Sequence, residues 1–138
     1  MDTRATVEDL LARIGTGDPE EIAAIYAEQV DWQLDWPEEE LGGDVPWIRR
    51  RATRADVAEH YRALGAHHDA SRAHAEVDQI LVDGGEAVIT GTIVNTVSHT
   101  GKRYRSHFAL HVTVEHGLVA RHHVYEDSLS VHRAWHGH

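Results

Sequence analysis

"AHAEVDQILVDGGEAVITGTIVNTVSHTGKRYRSHFALHVTVEHGLVARHHVYED", residues 73–127, decides the fold. Four runs rich in Val, Ile, Thr and aromatics lie in it: 73–83, 86–99, 103–115 and 118–127. Such runs read as strands. The links "DGGE", "HTGK" and "EHGL" each carry a glycine where a tight turn needs positive φ. Long strands joined by short turns form an antiparallel meander. A two-residue turn at His116-Gly117 sets Val114 opposite Val119, His111 opposite His122 and His107 opposite Glu126. That register gathers His107, His111, His122 and Glu126 on one face, with Ala109 and Val124 between them. Phe108, Leu110, Val112, Val119, His123 and Tyr125 take the other. A β-bulge would exchange the faces beyond it.

Upstream the period changes. In "TVEDLLARI", Thr6 is the expected N-cap, and Val7, Leu10, Leu11 and Ile14 fall on one helical stripe. "DPEEIAAIYAEQ" opens a second helix, with Asp18 as N-cap and Pro19 at N1. Its stripe is Ile22, Ile25 and Tyr26. In "TRADVAEHYRALG", Thr53 caps a third helix with Asp56 at N3, and Gly65 suits its stop. Val30–Asp35 reads as a short strand, and 37–52 as a long irregular segment. Three helices followed by a curved sheet make a single α+β domain over residues 1–138. A blind pocket is expected between the layers.

Composition narrows the function classes. The chain has 138 residues, no cysteine, 13 histidines and a net charge of −10. An acidic surface argues against a nucleic-acid partner, and absent cysteine excludes disulfides and thiolate metal sites. No apolar run reaches membrane-span length, and "MDTRATVEDL" has no signal-peptide core. A soluble, cytoplasmic protein without a membrane partner is expected.

The pattern "GDPEEIAAIYAEQVDW…TRADVAEHYRALG…GLVARHHVYEDSL" resembles SnoaL-like and ketosteroid-isomerase-like members of the nuclear transport factor 2-like superfamily. The resemblance spans nearly the whole chain. It implies a cone-shaped curved antiparallel sheet wrapped on three N-terminal helices. It also implies one of several activities: isomerase, polyketide cyclase, dehydratase, epoxide hydrolase, or a non-catalytic binding or dimerisation module. By that resemblance Asp35, in "WQLDWP", falls at or one place beyond the isomerase base, and Tyr61 matches a supporting tyrosine. The isomerase oxyanion-hole donors fall near Leu10 and Leu110, which cannot donate, so steroid isomerisation is not expected. SnoaL-like cyclases resemble a second arrangement, an acid on the last strand helped by a histidine. Glu126 and Asp127, with His122 or His107, match it.

Each candidate also has a plainer reading. Asp35 is either a base desolvated between Trp32 and Trp36 or a solvated acid grouped with Glu38–Glu40. The histidine face is either a proton-transfer site or a homodimer interface. Arg49, Arg50, Arg51 and Arg54 either balance nearby acids or form a rim for a ligand carboxylate. Trp32, Trp36 and Trp47 cluster as a pocket mouth, and Tyr61, Phe108, Leu110 and Val124 are expected to line the pocket. His107 and His111 stand roughly 13 Å apart along a strand, too far to share an ion. The tail "HRAWHGH" reads as frayed, so no metal is expected. The leading expectation is a cofactor-independent enzyme doing acid–base chemistry (isomerisation, aldol-type cyclisation or dehydration) on a polyketide-like or cyclic carbonyl compound, a small apolar or aromatic molecule. The alternatives are a non-catalytic small-ligand-binding or dimerisation module of the same fold, or an epoxide hydrolase.

Overall fold

The computed structural model describes residues 2–33, 36–37 and 43–138. Helix α1 spans Thr3–Thr16, and α2 is a short helix, Pro19–Ala23. Strand β1 runs Tyr26–Gln33 and α3 runs Arg54–His67. A 3₁₀ turn at Ala70–Arg72 leads to β2 (His74–Asp83), β3 (Glu86–Thr96), β4 (Arg103–Glu115) and β5 (Leu118–Glu126). Helix α4, Ser128–His136, ends the chain.

The sheet order is β1-β5-β4-β3-β2. The meander forms as expected, but the sheet is mixed, because β1 lies parallel to β5. The expected second helix breaks early for the same reason. Residues 26–29 have helical propensity and Tyr26 fits a helical stripe. Pairing with β5 wins: Val119 N–H donates to Ile25 O, and Arg54 Nε donates to Tyr26 O. Propensity yields to tertiary pairing of this kind.

Helix α1 starts earlier than expected. Asp2, not Thr6, is the N-cap, and Thr6 is fully buried. Helix α3 has the expected capping box of Thr53 with Asp56. It runs through Gly65 to His67, so that glycine is not its stop. Helix α4 is also unexpected. Asp127 caps its start, and the stripe Val131 and Ala134 is buried.

The core has two parts. One joins α1, α2 and α3 to the inner sheet face through Val7, Leu10, Ile22, Tyr26, Val57, Ile89 and Val112. The other joins Trp36, Val45, Trp47, Val97, Tyr104 and Val131 below α4. Gly91 sits where β2 and β3 approach closely, beside an irregularity in the pairing at Val77/Gln79. A Cβ there would fall 2.0 Å from Glu76 O and 2.9 Å from the Phe108 ring. Gly91→Ala should therefore destabilise the fold by about 1–3 kcal/mol. Urea denaturation checks this, and an unchanged midpoint would show that β2 can shift away.

Candidate active site

The turn at His116-Gly117 forms as read, with φ of 53° and 74°, and Val114 does pair with Val119. A bulge at Ala120 then changes the register. Thr113 pairs with Arg121, Val112 with His122, His111 with His123 and Phe108 with Glu126. The expected histidine face is therefore divided. His122, Val124 and Glu126 turn inward with Phe108, Leu110 and Val112, while His107 and His111 stay outside. His123 and Tyr125 also move, to the outer face.

His107 is thus not beside Glu126. It is exposed, with its Nδ1 3.1 Å from Thr92 Oγ1. His111 joins an outer network, 3.3 Å from Glu86 and 3.1 Å from Arg121, which also reaches Asp31 at 3.5 Å. Asp127 serves as the cap of α4, accepting from Ser130 N–H, and is exposed. Asp35 lies outside the described residues.

Inside, parallel pairing puts Trp32 beside His122. Their rings stack 3.8 Å apart at 4°. His122 Nδ1 lies 2.9 Å from Tyr26 Oη, which is 3.4 Å from Tyr61 Oη. From α3, His60 meets the Trp32 ring at 4.7 Å. Its Nδ1 is 3.1 Å from Trp47 O. A carbonyl only accepts, so that nitrogen carries the proton and Nε2 keeps its lone pair. Burial, aided by Arg51, pushes His60 down to about 3. Burial, with His60 and His123 nearby, holds His122 well below the ordinary imidazole range. Both rings are neutral at physiological pH. Burial also pushes Tyr61 up to about 12 and Tyr26 well above the ordinary phenol range.

A second polar group stands on the same inner face. Tyr104 Oη is 2.9 Å from His68 Nε2 and accepts from Asn95 Nδ2 at 3.2 Å. His68 Nδ1 donates to Leu64 O at 2.7 Å, so Nε2 must accept and Tyr104 must donate. This network is satisfied and reads as structural. Glu126 differs. Burial first, then the neighbouring Asp127, pushes its carboxyl up to about 7. It can therefore hold or release a proton near neutrality.

The tryptophans separate. Trp32 belongs to the histidine cluster. Trp36 and Trp47 are buried in the second core, Trp47 against His68 at 4.5 Å and Trp135 at 5.7 Å. The arginines separate too. Arg49 donates to the carbonyls of Val45 and Ile48, and Arg54 to that of Tyr26. Those two are backbone clamps, and Arg51 stands near His60. Sequence reasoning missed Tyr26 and His60 as members of the site. In the sequence Tyr26 falls on a helical stripe, and His60 carries no signal beyond adjacency to Tyr61.

The profile of the SnoaL-like domain matches residues 7–122. No curated protein matches significantly. Solved structures share the fold at low identity. An NTF2-like protein from Burkholderia xenovorans LB400 is 21% identical, with a TM-score of 0.76 over 96% of this chain and 94% of that one. An NTF2-like protein of unknown function from Burkholderia pseudomallei K96243 gives 17% and 0.80, covering 97% of each. TerC, co-crystallised with polyporic acid, gives 16% and 0.77, covering 96% of each.

Proposed function

The chain belongs to the SnoaL-like domain family, and from that premise we propose that it is an enzyme moving protons on a small apolar carbonyl compound. Isomerisation, aldol-type cyclisation or dehydration would follow from one enolisation step, and the inner-face residues need no cofactor for it. The observation that supports this most is Glu126, a half-buried carboxyl poised near neutrality on the face that also carries the buried His122. An acid of that pKa is matched to abstracting a proton and returning it. The neutral His122, with Tyr26 and Tyr61 behind it, would hydrogen-bond the developing enolate oxygen. Phe108, Leu110 and Val124 lie between them as an apolar wall. Glu126 and His122 are four residues apart on one strand, roughly 13 Å by strand rise. Those are backbone positions, and both side chains must lean along the strand toward each other to meet the α-proton and the oxygen of one carbonyl. TerC, of the same fold, was crystallised with polyporic acid, which fits a pocket for small organic ligands.

Proton NMR in D₂O tests the reading, with a panel of cyclic enolisable ketones. Exchange of α-protons catalysed by the protein supports it, whatever the later steps are. Tight binding without exchange would favour the binding-module reading instead.

The same proposal includes a symmetric homodimer packed through the outer sheet face. Val88, Thr90, Ala109 and Thr113 are only partly exposed there, and Tyr125 is 49% exposed on the same side. Light scattering should give twice the 15.5 kDa chain mass, and Ala109→Glu should halve it. A wild-type monomer at micromolar concentration would rule the dimer out. No helix among the described residues is long and apolar enough to cross a membrane.

A further inference from the structure

The C-terminal helix brings together side chains that the acid–base site does not use. His132 and His136 are one turn apart on α4, their ring centroids 4.4 Å apart. Asp44 approaches from the segment before α3, with Oδ2 2.9 Å from His136 Nε2. One donor atom from each of the three lies within 4.8 Å of the others. His132 Nδ1 is buried and has no hydrogen-bond partner. Buried polar atoms are nearly always paired, so an orphan nitrogen within such a group points to a missing ligand.

We propose that Asp44, His132 and His136 bind one divalent first-row transition ion, of the zinc, cobalt or nickel kind. Two imidazoles and one carboxylate suit these ions, whereas magnesium and calcium prefer all-oxygen sets. Three protein ligands leave a further position for water. His138 offers another imidazole nearby, its ring centroid 6.1 Å from that of His136. An ion pair between Asp44 and His136 alone explains their contact. It does not explain the approach of His132 or its inaccessible, unpartnered Nδ1.

Such an ion would act as a clip. It would fasten residues 43–48 to α4, and that segment supplies Val45, Trp47 and Ile48 to the second core. Through Trp47 O it also holds His60 in place. The ion therefore stands apart from the reacting groups and steadies one wall of their site.

Zinc titration of the 138-residue chain, followed by calorimetry and thermal melting, tests the site. One Zn²⁺ per chain and a raised Tm are expected, with no comparable effect from Mg²⁺. His132→Ala, His136→Ala and Asp44→Asn should each weaken binding by about 10-fold or more while retaining the wild-type circular dichroism spectrum. His74→Ala and His116→Ala, at exposed histidines elsewhere, should leave it unchanged. Because 13 histidines could bind zinc diffusely, the variants decide the question. Binding that His136→Ala and Asp44→Asn leave intact, or that the two control variants weaken equally, would overturn the proposal. So would the absence of stoichiometric zinc binding.

Discussion

Glu126→Gln should abolish most α-proton exchange, by roughly 10²-fold or more, while making the protein more stable at pH 8. Both effects follow from one half-buried, desolvated carboxyl. Its folded pKa is about 7, above the 4.5 of an unperturbed glutamate. Stability from such a group is full below pH 4.5 and is lost as pH rises through 7. At pH 8 the folded chain thus holds a carboxylate that burial disfavours, and a neutral amide does not. The gain should be roughly 1–3 kcal/mol by urea denaturation. In the wild type, exchange should rise with pH through about 7 as the base ionises. In the variant the residual rate should lack that step. If Asp35→Asn removes the activity and Glu126→Gln does not, the base is Asp35 and Glu126 is a structural acid. If neither substitution changes exchange, the acid–base mechanism fails.

That the sequence allowed two candidate bases reflects which physical signals are local. Strand identity was legible, because the alternation of Val, Ile and Thr and the glycine turns are written into consecutive residues. All four long strands start and end close to their expected places. Side-chain facing was not legible, because it depended on one extra residue. The bulge at Ala120 leaves Val119 and His122 both inward, and it turns His123 and Tyr125 outward. Nothing in "LVARHHVYED" marks that position: the residues on both sides include apolar and polar types. The parallel contact of β1 with β5 was equally hidden, although it converts Tyr26 from helix stripe to site residue. Helix α4 was visible in principle. Asp127 followed by Ser130 is a capping pattern, and Val131, Ala134 and Trp135 are spaced for one face. A terminal position and many histidines masked it.

Acidification should unfold this protein early, and the buried histidines are the reason. His60 in the folded chain titrates at about 3, and His122 well below its ordinary 6.5. Unfolded, both take up protons near 6.5. Their contribution to stability is therefore complete above pH 6.5 and is lost as pH falls below it. Each proton taken up on unfolding is worth about 1.4 kcal/mol per pH unit. Glu126 opposes them between pH 7 and 4.5, because its folded form binds a proton that the unfolded chain does not. Two histidines against one carboxyl leave a net uptake of about one proton on unfolding. His68, also lowered by burial, adds to it. Between pH 6.5 and 4.5 the loss should be about 3 kcal/mol, a large part of the stability of a domain this size. Urea midpoints across that range measure it. Glu126→Gln, by removing the opposing group, should steepen the loss, and His122→Phe should flatten it. A stability that stayed level or rose down to pH 4.5 would mean that His60 and His122 are not held neutral in the folded chain. The oxyanion role given to His122 would then fall with it.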